Sequence, residues 1–175
     1  MDIKIRNANL SNAKGIAKVH VKSWQETYHR LLPEKYLKNL KIDDREKLWK
    51  KVLGQEDVSD WLWVAIDEKD KIIGFCNGGK SRDKHLPFDC ELYAIYLLSA
   101  YKGNGIGRQL FDSLKKKCIS EGFKHLYLWI LKGNPTVEIF KSLGGILRKD
   151  ILETSIGGKS VKEVLYSFNF ENKHQ

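Results

Sequence analysis

The sequence predicts a single α/β (α+β) domain over residues 1–175. Apolar runs of strand length recur along the chain, each bounded by turn residues. Between them lie segments whose apolar residues return every three to four positions, as one face of a helix demands. A glycine-rich turn, Tyr101-Lys102-Gly103-Asn104-Gly105-Ile106-Gly107, joins a strand-like run to a helix-like run near the middle of the chain.

Asp2 to Asn7 reads as the first strand, with Ile3 and Ile5 alternating against polar neighbours. Asn9-Leu10-Ser11 offers helix caps. On the helix that follows, Ile16, His20, Trp24 and Tyr28 recur every four residues. Leu31-Leu32-Pro33 ends it. A short helix runs from Glu34 to Leu40, and another from Asp43 to about Leu53, capped by Asp43 or Asp44. Asp60 to Asp67 is a strand, Glu68-Lys69-Asp70-Lys71 a polar turn, and Ile72 to Lys80 its hairpin partner. Ser81 to Phe88, with Pro87, is a loop, and Cys90 to Leu98 the central strand. After the glycine turn a helix runs from Ile106 to about Glu121, then a strand from His125 to Leu131. Pro135 at the first helical position opens a short helix to Leu143, stopped by Gly144-Gly145. Ile146 to Ser155 and Ser160 to Phe168 close as a hairpin through Gly157-Gly158.

Apolar residues make up 42% of the chain, enough for a sizeable core. No apolar run approaches the ~18 residues of a membrane span, and the amino terminus carries no signal-like apolar region. Cys76, Cys90 and Cys118 show neither an even framework nor ligand spacing. They read as buried free thiols in a cytoplasmic protein, and no metal site is expected. The net charge of +9 suits nucleic acid or a multiply phosphorylated cofactor. The basic residues are spread along the sequence, however, so nucleic acid is not the expected partner.

In the glycine turn, three glycines at alternate positions leave backbone N–H groups free to approach a large ligand. The helix that follows adds unpaired N–H groups and the positive end of its dipole, so the turn suits an anion. Lys102 and Arg108 flank it. Gly74-Phe75-Cys76-Asn77-Gly78-Gly79-Lys80-Ser81 fits G-x-x-x-x-G-K-S letter for letter. A phosphate loop needs a long helix beginning at the lysine, and Ser81 to Pro87 cannot supply one. The turn is G-x-G-x-G rather than G-x-G-x-x-G, which argues against a dinucleotide dehydrogenase.

The turn resembles the acyl-coenzyme A signature of the GNAT superfamily of N-acetyltransferases. Gly105 and Gly107 fill its glycine positions, and Lys102 stands where the family has Gln or Arg. Asn134-Pro135-Thr136-Val137-Glu138-Ile139-Phe140-Lys141-Ser142-Leu143-Gly144-Gly145 is similar to a second family segment, Asn-Pro-x-x-x-Phe-Tyr-x-x-x-Gly-Gly, and the order of elements agrees from first strand to last. The resemblance implies a central mixed, mostly antiparallel seven-stranded sheet with helices on both faces. It also implies acetyl-coenzyme A as cosubstrate and a primary amine of a small molecule or peptide as acceptor. By resemblance, Lys102, Gly103, Asn104, Gly105, Ile106, Gly107 and Arg108 hold the pyrophosphate. Backbone groups of Ile95, Tyr96 and Leu97 line the pantetheine arm, and Asn134 hydrogen-bonds it. Phe140 falls where the family commonly has an acid-donating tyrosine; it can pack on the cofactor but has no proton to give. Relatives often pair, so a homodimer is among the expected assemblies.

A primary alkyl ammonium, with a pKa of ~10.4, must lose a proton before it can attack. Glu91 is the candidate base, and strand alternation puts it on one face with Tyr93 and Ile95. Trp24, Tyr28 and Tyr93 are the candidate acceptor-binding residues; His20 reads as a core histidine. The same fold without catalysis would be an acyl-coenzyme A sensor or a nucleic-acid binder.

Overall fold

In a computed structural model the chain is described from Asp2 to Glu171; Met1 and residues 172–175 of the expected domain lie outside the described residues. The order is β1 (Lys4–Asn7), α1 (Ala13–Thr27), α2 (Glu34–Lys38), α3 (Ile42–Leu53), β2 (Leu62–Ile66), β3 (Ile72–Lys80), β4 (Cys90–Leu97), α4 (Ile106–Ser120), β5 (His125–Leu131), α5 (Val137–Ser142), β6 (Ile146–Ile156) and β7 (Lys159–Asn169). The seven strands form one open sheet in the order β1-β2-β3-β4-β5-β7-β6. Every neighbouring pair is antiparallel except β4 and β5, which run parallel. The mixed, mostly antiparallel seven-stranded sheet is as the family resemblance implies.

The local chemistry accounts for most boundaries. The Asn9 side chain accepts from the Ser11 N–H, and Asn12 returns the bond to the Asn9 N–H, closing a capping box before α1. Gly157 and Gly158 both adopt positive φ, the left-handed pair that a tight β6–β7 hairpin requires. Two expectations shift. Lys41 is the cap of α3, so Asp43 and Asp44 sit in its first turn, where they meet the positive end of the helix. Pro135 precedes α5 rather than opening it; the cap is Thr136.

Strand alternation sorts the core onto two faces. Leu62, Val64, Ile66 and Phe75 pack with α1 and α3. Trp63 and Ala65 pack with Leu110, Phe111 and Leu114 of α4. The glycines of the G-x-x-x-x-G-K-S stretch lie in β3, which let α4 settle close to the sheet. A Cβ on Gly74 would come 2.9 Å from Leu97 Cδ1, and one on Gly78 would come 2.5 Å from Leu114 Cδ1.

The expectation of three free thiols needs correction. Cys90 on β4 and Cys118 on α4 are joined as a disulfide across 28 residues of sequence. The strand and the last turn of the helix that packs on it bring their Cα atoms within 6.6 Å, a proximity that linear spacing hides. Cys76 is free and buried.

Two departures from regularity shape the centre. β4 and β5 pair at Cys90 with Leu126 and at Glu91 with Tyr127 and then separate, leaving a gap above Glu91. In β4, Ala94 faces Asn77 and Leu92 faces Gly78, so Tyr93 is an extra residue: a β-bulge beside the gap.

Candidate active site

A cavity of about 310 Å³ occupies the gap, a size that suits a small organic ligand. It passes through the sheet. Lys102, Gly107, Phe111 and Phe140 line it on the α4 face; Trp24, Tyr28, Tyr96 and Glu163 line it on the α1 face. Ile95, Leu97 and Asn134 also line it.

The glycine turn borders the α4 side. Gly103 and Gly105 have φ of 81° and 74°, conformations that L side chains rarely adopt. Gly105 is the N-cap of α4. The first helical bond runs from the Gln109 N–H to the Gly105 carbonyl, which leaves the N–H groups of Ile106, Gly107 and Arg108 without helical partners. A Cβ on Gly107 would meet nothing within 4 Å beyond its chain neighbours and its own helix backbone, so the space over this turn is open to a ligand. Asn104 turns back, donating from Nδ2 to the Tyr101 and Lys102 carbonyls at 3.3 Å each. The Ile106 side chain is core, and Arg108 is exposed.

Residues 21–144 match the acetyltransferase (GNAT) family. The chain belongs to that family. It is 35% identical over 140 residues to an uncharacterised N-acetyltransferase, YuaI, of Bacillus subtilis, covering 80% of this chain and 78% of the relative. It is 24% identical over 136 residues to a spermidine N(1)-acetyltransferase of Thermoplasma acidophilum, covering 77% and 81%. The crystal structure of the PaiA N-acetyltransferase of Thermoplasma acidophilum in complex with coenzyme A shares the fold, with a TM-score of 0.70, 20% identity and coverage of 97% and 100%.

In this GNAT acyltransferase, Glu91 does not open on the main cavity. It is 3% exposed and lines a second cavity with Arg82, Tyr127 and Trp129. Arg82 Nη2 donates to its Oε1 at 2.7 Å. Its Oε2 accepts from Arg82 Nε and the Arg82 backbone N–H at 3.1 Å, and from the Tyr127 hydroxyl at 2.9 Å. The expected common face of Glu91, Tyr93 and Ile95 is broken by the bulge. Arg82 stacks 4.2 Å over the Tyr93 ring and so meets both Glu91 and Tyr93. Ile95, past the extra residue, packs into the α4-side core. Tyr93 lines the main cavity, but its hydroxyl is committed to the Lys80 carbonyl.

Tyr28 and Tyr96 both bring hydroxyls to the cavity wall, in contact with one another. Burial above all pushes both phenols up, so they keep their protons. Asn134 Nδ2 donates to the Tyr28 hydroxyl at 3.3 Å, while its Oδ1 accepts from the Thr136 N–H and hydroxyl. Thus Asn134 fixes its own turn and also reaches into the cavity. Phe140 is 5% exposed and lies edge-on to Phe111, with centroids 6.4 Å apart. His20 is core, as its place on the apolar face of α1 predicts. It accepts from Trp49 Nε1 at 3.1 Å and stacks on Tyr96, and burial, with a smaller contribution from Arg45, holds its pKa down to about 4.

The sequence reading missed Glu163. It lies on β7 between Leu131 of β5 and Leu152 of β6, and it is the only carboxylate among the described residues that line the main cavity. It forms no hydrogen bond or ion pair of ordinary length with a described residue, and burial raises its pKa against a smaller opposing effect of Arg82. The signal was available: Val161, Glu163 and Leu165 alternate along one strand face, so a charged residue stands in an apolar stripe.

Proposed function

We propose that this chain moves the acetyl group of acetyl-coenzyme A to a primary amine by direct attack in a ternary complex. The observation that carries this is the through-sheet cavity, with unpaired helix N–H groups and Lys102 on one face and an aromatic wall with one carboxylate on the other. The coenzyme A complex of a protein with the same fold supports the cosubstrate. The backbone of Gly103 to Arg108, with Lys102, receives the pyrophosphate, where each N–H to a charged oxygen is worth ~1.5–3 kcal/mol. Backbone groups of Ile95, Tyr96 and Leu97, beside the bulge, run along the pantetheine arm, and Asn134 and Phe140 flank it. Trp24, Tyr28 and the ring of Tyr93 wall the acceptor side.

The chemistry follows from these roles. The amine lone pair attacks the thioester carbon, the C–N bond forms, the C–S bond breaks, and the thiolate leaves with a proton. Phe140 cannot give that proton; the Tyr96 hydroxyl, still protonated at neutral pH, is the donor we favour. Glu91, saturated by Arg82 and Tyr127, acts as a clamp at the foot of the gap rather than as the proton acceptor.

Gly107→Leu tests the reading, because its side chain would fill the open space over the turn. Calorimetry should show coenzyme A binding at least tenfold weaker, about 1.4 kcal/mol. Unchanged binding would remove the turn from the cofactor site. Coenzyme A binding without thiol release from acetyl-coenzyme A, across a panel of amines, would favour a sensor.

A further inference from the structure

We propose that Glu163 receives the ammonium group of the acceptor, and that the acceptor is a singly charged primary amine on an apolar alkyl or arylalkyl body. This rests on the acetyl-transfer reading and adds the substrate class. Glu163 and Lys102 are the only charged side chains lining the cavity among the described residues. They reach it from opposite faces of the sheet. The cavity therefore offers a cation to an anionic ligand on the α4 side and one anion to a cationic ligand on the α1 side.

Around Glu163 the wall is aromatic and aliphatic: Trp24, Tyr28, Leu131 and Ile156. Trp24 and Tyr28 stand edge to face at 5.0 Å, which makes a firm surface for hydrocarbon. Arg82, from the loop after β3, also acts on Glu163, and more weakly than burial does. A second ammonium on the acceptor would find no second carboxylate here, and the +9 chain repels polycations at long range. The named activity of the Thermoplasma relative, on spermidine, is thus not the one this cavity fits.

A second observation marks this wall as a ligand surface. The Ser23 hydroxyl, on a residue 2% exposed, and the Trp24 indole N–H are buried without hydrogen-bond partners, and both residues line the cavity. Trp24 lies near enough to Tyr96 to influence its phenol, yet closes no hydrogen bond with it. Such polar atoms are costly unless something occupies the space beside them.

The proton inventory closes. The ammonium gives one proton to the Glu163 carboxylate. The neutral amine attacks, the C–N bond forms and the C–S bond breaks. The Tyr96 hydroxyl gives its proton to the departing sulfur and is restored by the nitrogen's surplus proton, and Glu163 returns its own proton to water. Partial burial disfavours both the carboxylate and the ammonium, which narrows the gap between their proton affinities.

The test measures thiol release with 2-phenylethylamine, hexylamine and spermidine, in the native chain and in Glu163→Gln. The two monoamines should exceed spermidine in kcat/KM by at least tenfold. The variant should raise the monoamine KM at least tenfold while its coenzyme A affinity, by calorimetry, stays within twofold. Without cofactor, 2-phenylethylamine should quench tryptophan fluorescence and neutral 2-phenylethanol should not, a contrast that needs no variant. Spermidine as the better substrate, an unchanged KM in the variant, or equal quenching by the alcohol would each overturn the proposal. If coenzyme A fails to bind the native chain, the acetyl-transfer reading falls, and the amine quenching still judges Glu163.

Discussion

His20 stays neutral because it is enclosed by rings: Trp24, Trp49 and Phe75 edge-on, and Tyr96 stacked at 5.4 Å. An imidazolium there would give up most of its hydration, and its ring nitrogen already accepts from Trp49. The folded pKa, about 4, lies below the unfolded value of 6.5. The unfolded state therefore binds the proton first as pH falls. Stability from this group is complete above pH 6.5 and is lost as pH drops toward 4, by roughly 3 kcal/mol at its limit. Urea unfolding at pH 7 and pH 4.5 checks this. The native chain should lose about 2 kcal/mol more than His20→Gln over that interval. Equal losses would mean that other groups carry the acid sensitivity.

Among the elements, the contact of α4 with β3 decides whether the turn proposed to hold the pyrophosphate is presented to the cleft. Gly78 is the tightest point, since an added Cβ would come 2.5 Å from Leu114 Cδ1 and 2.9 Å from the Glu91 carbonyl. Gly78→Ala should cost about 1–3 kcal/mol as α4 lifts. That is a fall of about 2–4 °C in Tm for each kcal/mol. Because α4 begins at the turn, coenzyme A affinity should fall as well; a lower Tm with unchanged affinity would mean that the strain is absorbed elsewhere. Here the sequence was readable in one way and silent in another. The letters from Gly74 to Ser81 spell a phosphate loop, but strand length and Pro87 rule out the helix that motif needs, and β3 is a strand throughout. Nothing in the alternation of β4 announces the extra residue at Tyr93, because a bulge is set by the partner strand. That is why Glu91 and Ile95 were expected together and lie apart. The Cys90–Cys118 link is hidden for a similar reason, since it depends on how a helix lies on a strand. Glu163, in contrast, could have been found from its own strand.

At the scale of the whole molecule, the sheet consists of two blocks, β1 to β4 and β5 to β7, joined where β4 and β5 pair at their amino-terminal ends. Glu91 reinforces that seam by holding Arg82 from one block and Tyr127 from the other. Above the seam the blocks separate, and the cavity is walled by Ala94 to Leu97 on one side and by Leu128 to Leu131 on the other. A ligand filling the gap would touch both blocks and replace the backbone pairing that the divergence gives up. Coenzyme A at a hundred times its Kd should therefore stabilise the chain by about 2.7 kcal/mol. This corresponds to a rise in Tm of about 5–10 °C. The pattern of amide exchange distinguishes bridging from simple anion binding at the helix start. If the arm lies between the strands, protection should rise on both sides of the gap, in residues 94–97 and in residues 128–131. Protection confined to residues 103–108 would mean that only the pyrophosphate is held, and that the gap is not where the thioester runs.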